Sequence, residues 1–189
     1  MIDRTSRSAA FNHAFGWIMT CEAGLSDVEG DRGGRTVGGV TTATYRSWRA
    51  RHQQAERPVD ELTLLEAREL YYDDYWVAVR APELPARLAL CVFDSAVQHN
   101  PSRAIMLLQR TLIPIANVEL VQDGVFGPMT RGAIASALAS YGEPALVESY
   151  LDWRLVHYER LVASEPSQAR FHDGWRRRVE DLRRAVGAF

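Results

Sequence analysis

The carboxyl group most informative about chemistry is that of Glu22, which lies at the end of an apolar helix face. Phe11, Phe15 and Ile18 recur at the spacing of one face of an α-helix, and Glu22 follows Ile18 at the same spacing. A carboxyl group in that position is poorly hydrated on one side, and desolvation disfavours its charged form. A carboxylic acid that stays protonated near neutral pH can protonate the leaving oxygen of a glycosidic bond. The alternative is a helix-terminal glutamate that points to solvent.

A glycine-rich segment follows Glu22 and carries further polar candidates. Six glycines fall within residues 24–41 among short β-compatible pieces, which predicts a loop with a small hairpin. Asp31 is our candidate for a base or for a stabiliser of an oxocarbenium-like transition state; an aspartate that closes a turn is the open alternative. Thr36 could hydrogen-bond a substrate or a catalytic water, or serve only the hairpin. A helix ending in glutamate before such a hairpin resembles the layout of a lysozyme cleft.

The amino-acid composition excludes several kinds of catalytic chemistry. All 22 basic residues of this 189-residue chain are arginine. Without lysine there is no Schiff-base enzyme, no Walker-type phosphate loop and no Ser-x-x-Lys acyl-transfer site. Arginine cannot act as the base because it stays protonated in proteins. Acid–base chemistry therefore falls to the 24 aspartates and glutamates, the five histidines or, rarely, tyrosine and cysteine.

The charge, the histidines and the cysteines argue against several partners and cofactors. A net charge of -2 gives no reason to expect nucleic-acid binding. The histidines lack metal-ligand spacing, so we expect no metal and no cofactor. Cys21 and Cys91 cannot form a disulfide framework, and their apolar surroundings favour buried reduced thiols. No run is long enough to span a membrane and no signal peptide is visible, so we expect synthesis in the cytoplasm.

The elements that must position these residues are predicted to be mostly helical. The fold class we expect is mainly α, with one small glycine-rich β-hairpin beside the helix that ends at Glu22. Helical periodicity and caps predict helices over residues 8–22, 43–53, 63–75, 86–98, 102–113, 129–140, 144–163 and 173–186.

Two further groups of side chains are candidates to bind substrate. Four aromatic residues lie within residues 71–76 and cannot all be buried on one helix face, so Tyr75 and Trp76 could stack on sugars; burial in the core is the alternative. Gln98 and Asn100 lie at the end of a helix and could bind an N-acetyl or peptide group, or they could cap the helix.

Five motifs in order resemble those of one family. Residues 22–41 align without a gap to the Glu-Gly-Gly-Tyr … Asp-Pro-Gly-Gly-x-Thr-x-x-Gly-Ile-Thr signature of glycoside hydrolase family 108. Residues 71–76 and 93–98 are similar to its Tyr-x-x-x-Tyr-Trp and Phe-Asp-x-Ala-Val-Asn motifs. Residues 123–130 and 171–178 resemble the Asp-Gly-x-x-Gly-Pro-x-Thr and Phe-x-x-Gly-Trp-x-x-Arg motifs of its C-terminal peptidoglycan-binding part.

The resemblance implies a lysozyme-like N-acetylmuramidase of the kind used as phage or prophage endolysins and as wall-opening accessory enzymes. Its catalytic acid falls on Glu22, and its substrate would be the β-1,4 bond between N-acetylmuramic acid and N-acetylglucosamine of bacterial peptidoglycan. Residues 1–100 would form the catalytic part and residues 101–189 a helical peptidoglycan-binding part packed on it. We expect a monomer that reaches the cell wall after release through a membrane pore.

Two other functions are compatible with the same residues. A lytic transglycosylase would use the same acid but close the sugar on its own hydroxyl group. A non-catalytic wall-binding module would only recruit or regulate. The five arginines within residues 176–184 are either a solvated helix face or a contact with anionic wall polymers.

Overall fold

The structure is a computed structural model that describes residues 8–22, 25–26 and 36–188. The chain divides into two compact units, of which the first ends at Trp76 and the second begins at Val77. Seven α-helices and three two-residue strands lie in the described part. This confirms the predicted mainly helical class.

The first unit combines three α-helices with a small antiparallel sheet. Strands pair in the order β1-β2-β3, with Val37 opposite Val40 across the tight β2–β3 turn. The α3 helix continues directly into one turn of π-helix. The elements are α1 (Ala9–Cys21), β1 (Leu25–Ser26), β2 (Thr36–Val37), β3 (Val40–Thr41), α2 (Thr42–Arg51), α3 (Leu64–Tyr71) and the π-helix (Tyr72–Trp76).

Side-chain caps start the three helices of the first unit. The hydroxyls of Ser8 and Thr41 accept backbone N–H groups of α1 and α2. Thr63 and Glu66 form the capping box that their spacing predicts at the start of α3. Each cap satisfies a donor that the first turn of a helix would otherwise leave unpaired. The helix starts are therefore fixed by local sequence.

The second unit contains four helices. Helix α4 lies at its centre, because every residue from Leu88 to Ala96 is buried. The merged helix α6 is broken at Gly142, whose φ of 77° is not helical, so the two helices predicted over this stretch are confirmed. The elements are α4 (Ala86–Gln98), α5 (Pro101–Ala116), α6 (Pro128–Ser164) and α7 (Ala169–Gly187), with 3-10 turns at Ala81–Glu83 and Pro166–Gln168.

The Asp123-Gly124 turn between α5 and α6 is held by a buried side chain. The Gln109 amide donates to Asp123 Oδ1 at 2.7 Å and to the Val125 carbonyl at 3.1 Å, and its oxygen accepts the Gly124 N–H at 2.9 Å. Gly124 has a φ of 73°, and an added Cβ would lie 2.2 Å from Ser102 Oγ. The turn therefore needs a glycine and serves to connect the two helices.

A buried ion-pair cluster ties three helices of the second unit together. Asp94 of α4 contacts Arg154 of α6 at 2.6 Å and Arg178 of α7 at 2.9 Å. The Asp94 and Arg154 side chains are completely buried. Charges are buried in proteins when they are paired, so these contacts hold the three helices in register.

One sequence expectation, on the cysteines, differs from what the structure shows. The prediction of two buried thiols is wrong for Cys21, which is exposed at the end of α1; Cys91 is buried, and neither forms a disulfide. The compact units divide at Trp76, whereas the predicted functional division is at residue 100. The difference arises because α4 packs against α5, α6 and α7. Within the described residues, no helix is both long and apolar enough to cross a membrane.

Candidate active site

Glu22 lies at the C-terminal end of α1, where its backbone N–H donates to the Ile18 carbonyl at 2.9 Å. The apolar face predicted from Phe11, Phe15 and Ile18 is buried. The Glu22 side chain is half-buried. The helix therefore anchors this carboxyl group on a packed face and leaves it partly accessible.

The β2–β3 turn lies directly against the Glu22 carboxyl group. Gly38 and Gly39 form this turn with φ values of 53° and 76°. A Cβ added at Gly39 would lie 2.9 Å from Glu22 Oε2, 3.1 Å from Glu22 Cγ and 2.7 Å from the Tyr71 hydroxyl. Only glycine allows both this backbone conformation and this close approach. The hairpin and the end of α1 thus form one wall of the site.

Tyr71 fixes the β2–β3 turn through a hydrogen bond. Its hydroxyl donates to the Gly38 carbonyl at 2.8 Å. Its ring is 1% exposed and packs on Phe15 of α1, with 5.8 Å between ring centroids. Tyr71 therefore connects α3, α1 and the hairpin around the carboxyl group of Glu22.

Tyr75 also lies within electrostatic range of Glu22. Burial raises the pKa of the Tyr75 hydroxyl, and the negative charges of Asp74 and Glu22 raise it further. Its ring lies 5.4 Å from that of Tyr71. Tyr75 is thus a neutral hydrogen-bond donor at physiological pH, and it is only half-buried. The charge of Glu22 thus acts on a second predicted site residue, Tyr75.

The π-helix places Trp76, the residue after Tyr75, in the hydrophobic core. Trp76 is 2% exposed and packs on Phe11, with ring centroids 5.5 Å apart. It belongs to the hydrophobic core, which was the open alternative to sugar stacking. The Thr36 backbone lies in β2, paired with Ser26 on one side and Thr41 on the other. Asp31 lies outside the described residues.

Gln98 and Asn100 belong to the second unit, and their side-chain oxygens have protein partners. Gln98 Oε1 accepts from Arg154 Nη2 and from the Tyr158 hydroxyl, both at 2.6 Å. Asn100 Oδ1 accepts the Arg103 N–H at 2.8 Å and so caps the start of α5. These contacts orient a buried arginine and begin a helix.

The contact between Tyr71 and the β2–β3 turn is not apparent from the sequence. Tyr71 is one of four aromatic residues within residues 71–76, and the glycines of residues 24–41 predict only a loop with a small hairpin. The pairing of Tyr71 with the β2–β3 turn carries no periodic signal, because the partners are 33 residues apart. Across the residues whose positions are described, no cluster of three or more His, Cys, Asp or Glu could hold a metal ion.

The arrangement can perform one kind of chemistry well. A partly buried carboxylic acid beside a neutral phenol and a backbone turn can donate a proton to a bound acetal oxygen. The tight turn restricts the positions that the acid can adopt, which favours a defined proton-transfer geometry.

Comparison with known proteins agrees with this chemistry. Residues 15–99 match the family described as Glycosyl hydrolase 108, and residues 103–180 match the family described as Predicted Peptidoglycan domain. The fold is similar to the solved structure of Brucella abortus SagA, with a TM-score of 0.77 and 27% identity, covering 95% of this chain and 94% of that chain. Among curated proteins, none matches the sequence.

Proposed function

We propose that this chain, whose residues 15–99 belong to the glycosyl hydrolase 108 family, cleaves peptidoglycan as an N-acetylmuramidase. The peptidoglycan domain matched over residues 103–180 supports a peptidoglycan hydrolase. The bond we propose is the β-1,4 linkage between N-acetylmuramic acid and N-acetylglucosamine. Glu22 would protonate the leaving oxygen of this bond.

The observation that carries the proposal is the packing of the β2–β3 turn on Glu22. The turn comes so close to Oε2 that a side chain at residue 39 would have to displace the Glu22 carboxyl group. Such a contact restricts the positions that the Glu22 carboxyl group can adopt. For the second step we propose that Asp31, or another acidic group of the loop after Glu22, assists the attack of water.

Glu22→Gln is the substitution that tests the acid. Glutamine keeps the shape of the side chain but cannot donate the proton, so we expect the rate of clearing of purified peptidoglycan to fall by about 100-fold or more. Glu61→Gln is the matched control, because that carboxyl group is in the same unit, is 58% exposed and pairs with Arg57 at the surface. Equal clearing by wild type and Glu22→Gln would exclude Glu22 as the acid.

Product analysis distinguishes the proposed reaction from its rivals. Hydrolysis at the proposed bond leaves reducing N-acetylmuramic acid ends, which borohydride reduction followed by mass spectrometry detects. Anhydro-muramic ends would indicate a lytic transglycosylase, and reducing N-acetylglucosamine ends would place the cut at the other glycosidic bond. Wall binding without any soluble product would indicate a recruiting module.

For the biological setting we propose release of phage or prophage progeny through the host cell wall. This rests on the resemblance of the five motifs to those of endolysins. An enzyme made in the cytoplasm would reach the wall through a separate membrane pore. Expression in the cytoplasm with and without a pore-forming protein tests the idea, since lysis should require both.

A further inference from the structure

A pocket between α5 and α6 of the second unit is lined by two matching helical stripes and by Gln122 of the segment that connects the helices. Arg103, Met106, Leu107 and Arg110 recur at three- and four-residue spacing on α5. The same spacing on α6 aligns four residues opposite them, so the two antiparallel helices form the walls of one groove. These residues are Trp153, Val156, His157 and Arg160.

The pocket is positively charged, and its arginines are not neutralised. Within the described residues, Arg103, Arg110 and Arg160 make no ion pair, whereas Arg131 and Arg183 of the same unit pair with carboxylates. Burial and the nearby charge of Arg160 lower the pKa of Arg110. An arginine whose charge is opposed by its surroundings gains most from an anionic partner.

Arg110 is also held in position for a ligand. Its guanidinium lies over the Trp153 ring, 4.3 Å from the centroid. Its Nε is buried and has no hydrogen-bond partner in the described part of the protein. A buried donor without a partner is costly, and a bound acceptor would remove that cost. The stacked guanidinium presents a flat, fixed fork that suits a carboxylate or a phosphate.

Size and apolar lining indicate which anion fits. The cavity is about 100 Å³, which is too small for a disaccharide but large enough for an acidic group with a short apolar neighbour. Met106, Leu107, Trp153 and Val156 provide an apolar wall beside the arginines. A bare phosphate would leave this wall in contact with water, whereas an amino-acid carboxylate would cover it.

We propose that this pocket binds a carboxylate of the peptide stem of peptidoglycan. The inference rests on the proposed function, and it adds a recognition site for the peptide to the proposed cleavage of the sugar chain. Every lining residue lies within residues 103–160, inside the stretch matched to the peptidoglycan domain. Stem peptides carry free carboxylates on short aliphatic residues, which is the combination that the pocket offers to contact.

The probe for the test is the stem tripeptide L-alanyl-γ-D-glutamyl-meso-diaminopimelic acid, titrated into the full chain by calorimetry. It contains no glycosidic bond, so its binding is independent of catalysis. Removing one charge-assisted hydrogen bond should weaken its affinity by about ten-fold in Arg110→Gln. Arg103→Gln, which alters an exposed side chain of the same wall, should weaken it too. Arg131→Gln is the control, since it removes the same charge from an exposed ion pair on α6.

Each outcome decides the proposal. Selective weakening in the two pocket variants, together with loss of binding by a tripeptide whose carboxyl groups are amidated, supports it. Equal affinity in all three variants overturns it, and so does tighter binding of inorganic phosphate than of the tripeptide. If Glu22→Gln still cleaves peptidoglycan, the proposed catalytic function fails while the tripeptide result stands, so the two failures are distinguishable.

Discussion

Gly38 and Gly39 share a left-handed backbone but differ in their surroundings. A side chain at Gly38 would meet nothing within 4 Å, whereas one at Gly39 would collide with Glu22 and Tyr71. The two positions therefore separate the backbone cost of losing a glycine from the steric cost of displacing the acid. Few sites offer such a comparison between adjacent residues.

We predict that Gly39→Ala abolishes most of the activity while Gly38→Ala preserves it. Both substitutions should lower the free energy of unfolding by about 1 kcal/mol, because alanine is strained at positive φ. Only Gly39→Ala also pushes on Glu22 Oε2 and the Tyr71 hydroxyl. Rates of peptidoglycan clearing and urea denaturation curves check this. Equal loss of activity in both variants would mean that the contact with Glu22 has no role in catalysis.

Single residues also show what sequence reasoning could and could not find. Glu22 was identifiable because its place on an apolar stripe is a local property of one helix. Trp76 and Tyr75 could not be assigned to core and site by periodicity, since the π-helix of residues 72–76 changes the angle between successive side chains. The role of Tyr71 depends on a partner that only the folded chain brings near.

At the scale of elements, Glu66 joins α2 and α3. Its carboxylate accepts from Arg49 Nη1 and Arg57 Nη2, both at 2.7 Å, and from the Tyr45 hydroxyl at 3.1 Å. It also accepts the N–H and hydroxyl of Thr63 in the capping box. The capping box was predictable from four consecutive residues, but the two arginines that complete the cluster come from distant positions. The residue that caps the start of α3 thus also links α3 to α2.

The ion-pair cluster of Glu66 predicts a defined acid sensitivity. Burial alone would raise the pKa of Glu66, but hydrogen bonds from Thr63 and Tyr45 and the charge of Arg57 outweigh it and lower the pKa below its ordinary value of 4.5. A lowered pKa means that the folded state favours the charged form. Its stabilisation is complete above pH 4.5 and is lost as the pH falls through the lower folded-state pKa.

Glu66→Gln should therefore cost about 2 kcal/mol of unfolding free energy at pH 7, because it leaves two arginines without their carboxylate. The difference between wild type and variant should shrink as the pH falls below 4.5. Denaturation at several pH values measures it. Glu61→Gln, which alters an exposed ion pair, should change stability by less than about 1 kcal/mol. A wild-type–variant gap that is constant down to pH 3 would contradict the assignment.

At the scale of the whole molecule, several family-like motifs prove to have structural roles. Asp94 of the Phe-Asp motif and Arg178 of the closing Trp-x-x-Arg motif form one buried cluster. Gln98 of the same Phe-Asp segment contacts Arg154, which pairs with Asp94. Sequence order showed that the motifs belong together but not that they touch, because 84 residues separate Asp94 from Arg178.

Arg183 and Arg184, two of the five arginines within residues 176–184, form ion pairs with neighbouring carboxylates. Arg183 pairs with Glu148, Asp152 and Glu180, and Arg184 pairs with Asp181. These contacts favour the solvated, ion-paired face over a free cationic patch for two of the five arginines. Among the described residues of the second unit, Arg103, Arg110 and Arg160 at the α5–α6 pocket carry positive charge without an ion pair. With a net charge of -2, any attraction to an anionic wall must come from such local groups.

The buried cluster around Asp94 gives the last prediction. Asp94→Asn removes the negative charge that contacts both Arg154 and Arg178. An uncompensated charge in a buried site costs about 3–5 kcal/mol, so the variant should unfold at a much lower urea concentration. Asp152→Asn, whose side chain is 69% exposed in its pair with Arg183, should lose less than about 1 kcal/mol. If the two variants unfold at the same urea concentration, the cluster does not stabilise the second unit more than an exposed ion pair does. The presence of Asp94 and Arg178 in family-like motifs would then need a functional explanation.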